Sequence, residues 1–192
     1  VEVILREIDH LAGISRSFSR FGAPKAAGQL PLQAVSLSQV AEEVMNLYGG
    51  GKGALTFRCD IPGDVPAVQA RESELREVLI NLLENSRAAI PSQGTVTVGA
   101  EVGGSSVEIL VRDDGTGIDP DLLPRIFEPH FSTRSMGTGL GLAIVRRLVE
   151  SWGGSVTAES EVGKGTVVRI VIPVWAGQAE DRPLLDPEGG TV

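Results

Sequence analysis

Asp113 to Leu142 reads DDGTGIDPDLLPRIFEPHFSTRSMGTGLGL, with a glycine cluster at each end. Asp113, Gly115 and Gly117 follow directly on the alternating apolar residues Val107, Ile109 and Val111, so they close a strand. Gly137, Gly139 and Gly141 run straight into Leu142, Ala143, Ile144 and Val145, so they open a helix. Glycines ahead of a helix let the backbone approach an anion closely, and that helix's free N–H groups and positive dipole end hold phosphate. An ionised carboxylate at Asp113 only accepts hydrogen bonds, which suits a base carrying an exocyclic amine. A purine reader at one end and a phosphate cradle at the other describe a nucleotide site. Each cluster alone has an ordinary reading, a tight Asp-Gly turn or a loop entering a helix. The spacing is not that of a P-loop, since no Gly-Lys-Ser/Thr follows. Nor is it that of a dinucleotide fold, whose glycines share one βα turn.

A third element lies upstream, in Leu75–Ala89, LREVLINLLENSRAA. Leu75, Val78, Leu79, Leu82 and Leu83 recur at helical spacing, so one face packs on a core. At about 100° per residue, Asn81 and Asn85 fall beside each other on the flank of that face. Asparagine carbonyls are neutral oxygen ligands that Mg²⁺ accepts when phosphates and waters complete its shell. A pair of solvated polar residues on a surface helix would look the same.

NLLENSRAA, DDGTGI, IFEPHFSTR, GTGLGLAIV and GKGT stand in the order of the N, G1, F, G2 and G3 boxes of bacterial sensor histidine kinases. Between Leu32 and Val174 the chain therefore resembles the catalytic, ATP-binding domain of that family, within the gyrase/Hsp90/histidine kinase/MutL superfamily. FEPHFSTR followed closely by GTGLGL looks most like the nitrogen-regulation branch. Five ordered motifs are far more specific than any one of them.

At 192 residues the chain has room for one core and a short extra element. A net charge of −8 argues against a nucleic-acid binder, which carries a basic face. The single Cys59 has no intrachain partner, which fits a reducing, cytoplasmic location. No apolar run approaches ~18 residues, so no segment of this chain is expected to contact or span a membrane. The missing initiating Met is read as the mark of a fragment, and any membrane anchor of the full-length protein would lie outside it.

Ile4, Ile8, Leu11, Ile14, Phe18 and Phe21 step by three or four, an amphipathic helix with a narrow seam of the kind that packs in a bundle. By the resemblance, residues 1–23 are the end of a dimerisation and histidine-phosphotransfer helix, and 24–31 a linker. Residues 32–175 are then the catalytic domain, and 176–192, rich in Pro, Gly, Asp and Glu, a disordered tail. His10 is followed by Leu-Ala-Gly-Ile and not by the acidic residue and proline of the family's phosphoacceptor. It reads as a helix-surface histidine, with the acceptor expected upstream of Val1.

Within the domain, strands are expected at 32–37, 54–60 and 67–69, with Ser38 capping a helix over 39–48. Hairpins follow at 95–113 around Gly103-Gly104 and at 155–174 around Gly163-Lys164-Gly165, with a helix over 140–152 between them. Strand, helix, strand, strand, helix, hairpin, helix, hairpin makes an α+β fold. It is a two-layer sandwich with helices on one face of one mixed sheet, which the resemblance names a Bergerat-type ATP-binding fold.

The resemblance also implies roles. Asn85 matches the Mg²⁺-ligating asparagine and Asn81 the one a turn earlier that supports phosphates or metal, and these two are the catalytic pair. Asp113 matches the adenine-binding aspartate and Thr166 the threonine that completes adenine recognition through water. Gly115 and Gly117 turn under the base, while Gly137, Thr138, Gly139, Leu140 and Gly141 carry the phosphates. Phe127 and Phe131 lie in the F box. Arg134 is either a contact to the terminal phosphate or an exposed lid arginine, and Arg87 points away from Asn85. Ser86 stands where the family usually has alanine, Asp114 where it often has asparagine, and His130 where it is often aromatic.

The function implied is the ATP-binding half of a protein histidine kinase, with ATP and Mg²⁺ as cofactors. The γ-phosphoryl group would pass to a histidine on a dimerisation hairpin of the same full-length protein, a homodimer, and then to a response regulator receiver domain. The fragment alone, lacking the acceptor, is expected to be inactive. Two other classes stay open: an ATP-hydrolysing clamp of gyrase or MutL type, and an anti-sigma-type serine kinase or ATP-dependent binding module. The clamp would want a glutamate base at position 81, where this chain has asparagine. A pseudokinase that binds nucleotide only as a signal is a third.

Overall fold

The computed structural model describes residues 30–48, 55–134 and 137–177. The expected helix over 1–21, His10, Gly49-Gly50-Gly51 and the tail beyond Gly177 lie outside them. Ten elements follow in order: β1 (Gln33–Val35), α1 (Leu37–Asn46), β2 (Leu55–Asp60), β3 (Val68–Ala70), α2 (Glu72–Ala89), β4 (Gly94–Gly103), β5 (Ser106–Asp113), α3 (Gly141–Ser151), β6 (Ser155–Glu161) and β7 (Gly165–Pro173). A single 3-10 turn, Leu123–Arg125, sits in the long β5–α3 connection.

The main sheet has the order β2-β4-β5-β7-β6, with β2 parallel to β4 and every other pair antiparallel. Strand register explains the core. Val98 lies opposite Val111, which lies opposite Val168, and Ala100, Ile109 and Ile170 form the next row. All six point to one face and are buried. The helices cover that face, as the α+β expectation required. From α2 come Leu75, Val78, Leu79, Leu82 and Leu83, and from α3 Ile144, Val145, Val149 and the fully buried Trp152. Burying each such side chain contributes about 1.5–3 kcal/mol before entropy is counted.

Two details differ from the sequence reading. The short strands β1 and β3 pair with each other antiparallel and stand outside the main sheet. Their link to it is a bridge from Val68 to Val174 and a hydrogen bond from Trp175 N–H to the Ala67 carbonyl. The cap of α1 is Ser36, whose hydroxyl accepts from Gln39 N–H, and not Ser38. Starting two residues earlier brings Leu37 into line with Val40, Ala41 and Val44, and all four are buried. A start after Ser38 would leave Leu37 outside the stripe.

Helix α2 sets the site. It begins with Glu72 and Glu74 in its first turn, where carboxylates complement the helix dipole. Glu74 accepts from the Trp152 indole at 2.8 Å and from Arg71 at 3.0 Å, locking α2 to the end of α3. It stops at Ile90, extended because Pro91 follows. Its C-terminal end is tied to the loop after β5, where Thr116 N–H donates to the Ala89 carbonyl at 3.0 Å.

Candidate functional site

A cavity of about 1210 Å³ opens between α2, the end of β5, the β5–α3 connection and the start of α3. Asn81, Asn85, Asp113, Gly117, Arg134, Gly137, Thr138, Gly139, Gly141 and Thr166 all line it, so residues far apart in sequence meet there. Among the described residues this brings together nearly every group the motifs singled out. Gly115 and Leu140 do not line it. The Gly115 N–H donates to Asp113 Oδ1 at 3.0 Å, and the Leu140 side chain is buried in the core.

At one end Asp113 is partly buried, and burial pushes its pKa up. Hydrogen bonds from Gly115 N–H, the Ser86 hydroxyl and the Thr166 backbone pull it back, while neighbouring Asp114 adds to the rise. Ser86 and Thr166 are the buried polar residues among those described, and both adjoin this carboxylate. Thr166 Oγ1 lies 2.9 Å from Ser160 Oγ, which also donates to the Gly165 carbonyl and accepts from Ile118 N–H. Asp114 turns away from the cavity and accepts from Thr95 N–H at 2.8 Å, where it secures the start of β4.

The glycines of this end are required by backbone crossings. Gly117 has φ +69°, and a Cβ there would sit 2.1 Å from the Glu161 carbonyl oxygen. Gly165 has φ +104°, and its Cβ would sit 1.9 Å from the Asp113 carbonyl oxygen. Gly163 N–H donates to the Thr116 carbonyl at 2.8 Å. The β6–β7 turn thus clamps the loop after β5, and only glycine permits that approach.

At the other end, the side chains of Asn81 and Asn85 meet the first residue of α3. A Cβ at Gly141 would stand 3.1 Å from Asn81 Oδ1 and 3.7 Å from Asn85 Nδ2. Asn81 Nδ2 donates to the Glu77 carbonyl at 2.9 Å, which leaves Oδ1 toward Gly141. Asn85 Nδ2 is buried and has no hydrogen-bond partner. Such a group is costly unless a ligand completes it, and an amide can present its oxygen instead by turning over.

These residues fit a magnesium ion of one kind only. No cluster of three or more His, Cys, Asp or Glu exists among the described residues, so there is no carboxylate cage. Two neutral amides beside a helix N-terminus suit an ion whose other ligands are phosphate oxygens and water.

The lid closes the remaining side. Gly139, with φ +65°, packs so tightly on the F box that a Cβ would lie 2.5 Å from the His130 carbonyl carbon. His130 N–H donates to the Gly139 carbonyl at 2.9 Å, and His130 itself adopts φ +64°. Thr138 Oγ1 accepts from Leu140 N–H at 3.4 Å just before α3. Phe131 lines the cavity and carries the Arg125 guanidinium 4.6 Å above its ring. Arg134, exposed along its stem, donates from Nη2 to the Asn85 carbonyl at 3.0 Å. Burial pushes its pKa down, and the Asp113 charge draws it part of the way back.

Contacts fix the surroundings of Glu84. Glu84 accepts from the Tyr48 hydroxyl at 2.9 Å and pairs with Arg87 at 2.6 Å. Arg87 is thereby occupied outside the cavity lining, as its helical angle implied. Burial first, then the Glu84 charge, raises the Tyr48 phenol above its ordinary value. Ser86 is the functional candidate that the family resemblance passed over. Its signal was present, because it continues the spacing Leu75, Leu79, Leu82 as a lone hydroxyl in an apolar stripe.

Comparison with known proteins agrees with this geometry. Residues 70–176 match the family described as "Histidine kinase-, DNA gyrase B-, and HSP90-like ATPase". Sensor histidine kinase ZraS of Salmonella typhi is 37% identical over 182 residues, covering 93% of this chain and 38% of ZraS. The chain therefore spans about two fifths of the length of that relative. Histidine kinase ShkA, solved full-length in complex with AMPPNP, superposes with a TM-score of 0.73 at 32% identity over 90% of this chain and 38% of ShkA. Histidine kinase ThkA, solved in complex with response regulator protein TrrA, gives 0.74 at 26% identity, over 90% of this chain and 49% of ThkA.

Proposed function

The chain belongs to the histidine kinase-, DNA gyrase B- and HSP90-like ATPase family, and on that premise we propose that it binds Mg²⁺-ATP as the catalytic domain of a sensor histidine kinase. The observation that carries this reading is the meeting of Asn81, Asn85, Asp113 and the Gly137–Gly141 turn around one cavity. Asp113 takes the amine of adenine, Thr166 and Ser160 extend that polar floor, and the N-terminus of α3 takes the phosphates. Asn85 would hold the magnesium ion, with Asn81 on its phosphate side, and the ion would neutralise phosphate charge. Phosphoryl transfer then needs mostly positioning, with the γ-phosphate in line with an external nucleophile.

That nucleophile is a histidine on a dimerisation hairpin of the same full-length protein, and the phosphoryl group then passes to a receiver domain. ThkA, solved with a response regulator, supports the second partner. Among the described residues no helix is long and apolar enough to cross a membrane. The ATP requirement supports a cytoplasmic working place.

The hydrolase reading is weaker on a specific ground. Asn81 stands where a clamp ATPase would carry its general base, and an amide takes no proton at neutral pH. Glu84 of α2 lines the cavity but is engaged by Tyr48 and Arg87. The test is to mix the purified chain with labelled ATP and a histidine-bearing hairpin of a relative supplied in trans. Acid-labile, base-stable label on the hairpin is expected, with no steady phosphate release. Release at enzyme-like turnover without hairpin label would move the protein to the hydrolases.

A further inference from the structure

We propose that Ser132 is a positioning residue for nucleotide binding: its hydroxyl folds Ser132–Arg134 into the turn that presents the Arg134 guanidinium to the phosphates. This deepens the nucleotide reading above and rests on it.

A phosphate tail carries several negative charges, and it needs cations that are not already neutralised. Among the described residues, Arg76 and Arg134 are the arginines of the cavity lining. Arg76 is paired with Glu43 and Glu72. Arg134 belongs to no ion pair among the described residues. Its charge is the one left in that lining for an incoming anion.

Arg134 is fixed at both ends. At its backbone, Ser132 Oγ accepts from Arg134 N–H at 3.1 Å and donates to the Arg134 carbonyl at 3.2 Å. Gly137 N–H donates to that same carbonyl at 3.1 Å. A Cβ on Gly137 would stand 2.3 Å from Ser132 Oγ, so the glycine leaves room for this hydroxyl. At its head, Arg134 Nη2 donates to the Asn85 backbone carbonyl at 3.0 Å. The side chain of that same Asn85 reaches the first residue of α3, where a Cβ on Gly141 would lie 3.7 Å from its Nδ2. The anchor therefore ties the guanidinium to the phosphate end of the cavity. A guanidinium carries five N–H donors and the Asn85 carbonyl uses one, so the others can fork onto phosphate oxygens without breaking the anchor. A cation held in this way loses little freedom when the ligand arrives. Ser132→Ala keeps the charge but removes both backbone contacts of the hydroxyl, and the arginine must then be ordered at the cost of affinity.

Titration calorimetry with Mg²⁺-AMPPNP compares the wild-type chain with Ser132→Ala, Ser132→Thr, Arg134→Met and the double variant Ser132→Ala/Arg134→Met. Affinity is expected to fall roughly 20-fold in Arg134→Met, which loses a charge-assisted contact, and roughly 5-fold in Ser132→Ala, which only loosens it. Ser132→Thr keeps the hydroxyl and should bind like wild type. In the Arg134→Met background, Ser132→Ala should change affinity by less than about twofold, because the hydroxyl then has no cation to place. Adenosine, followed by ligand-observed NMR, has no phosphate and should bind wild type and Ser132→Ala alike. A comparable loss in the Arg134→Met background, an equal loss for adenosine, or a Ser132→Thr variant as weak as Ser132→Ala would reduce Ser132 to packing and overturn the positioning role. Unchanged affinity in Ser132→Ala overturns it as well. Both side chains are exposed, so every variant is expected to fold, and thermal unfolding checks that each does. Failure of the wild-type chain itself to bind Mg²⁺-AMPPNP overturns the nucleotide reading instead.

Discussion

Gly141 stands so close to Asn81 that a Cβ added to it would lie 3.1 Å from Asn81 Oδ1. The first residue of α3 is thus small because a polar side chain of α2 lies against it.

Gly141→Ala should separate stability from binding. Its φ is not positive, and alanine favours helix, so the melting temperature is expected to hold or rise slightly. The added methyl presses the Asn81 amide away from the phosphate side, and Mg²⁺-ATP affinity should fall by roughly 5- to 20-fold, about 1–2 kcal/mol. Scanning calorimetry and titration calorimetry on the same sample check both halves. Parallel losses in stability and affinity would mean that the glycine serves packing alone.

Asn85→Ala removes a buried amide nitrogen that has no partner. Because no hydrogen bond is lost, the ligand-free protein should change by less than about 0.5 kcal/mol, or become slightly more stable. ATP affinity should drop chiefly when Mg²⁺ is present. Equal affinity for Mg²⁺-ATP with and without Asn85 would remove it from the metal side of the site.

Asp113 should make stability and affinity run in opposite directions with pH. Burial raises its folded-state pKa above the ordinary 3.8. A group raised on folding contributes stability that is complete below its unfolded value and is lost as pH rises through the folded one. Nucleotide affinity moves the other way, because protonation removes an acceptor. Asp113→Asn abolishes both trends and lowers ATP affinity by roughly 10- to 100-fold, the ~1–3 kcal/mol of a buried mismatch. Urea titrations of the two proteins across acid pH, compared by difference, test the stability half. A difference independent of pH would contradict the assigned shift.

Gly165→Ala should destabilise by about 2–4 kcal/mol, combining left-handed backbone strain with overpacking. Its φ is +104° and its Cβ would overlap the Asp113 carbonyl oxygen at 1.9 Å. Loss of ATP binding should accompany it, because the displaced atom belongs to the base reader. Chemical unfolding that leaves the midpoint unchanged would show that the hairpin can retreat without cost.

Much of this was legible in the chain because it is written locally. Alternation along β4, β5 and β7, and the Leu75–Leu83 stripe, fixed which faces are buried. The cap at Ser36 instead of Ser38 turned on whether Leu37 joined its stripe, a choice settled by tertiary burial. The separate pairing of β1 with β3 depends on contacts more than 30 residues apart, as in Gln33 opposite Ala70. The glycines show the same limit. Their motif spacing pointed to a ligand, yet Gly117, Gly139 and Gly165 are required by Glu161, His130 and Asp113, partners that local spacing does not name. Ser86 was visible as a hydroxyl in an apolar stripe, but only the approach of β5 gives that hydroxyl a carboxylate to hold.

The bridge from Val68 to Val174 has an architectural consequence. Val35 pairs with Val68, and Val68 with Val174, so β1 and the segment leaving β7 flank the same short strand, β3. Across three neighbouring strands that is about 10 Å. A unit with adjoining entry and exit behaves as a cassette, one that can be spliced into a surface loop of another protein without forcing its host apart. Joining the two ends through a short linker and opening the chain at the exposed Gly104 turn should likewise yield a permuted domain with its cavity intact.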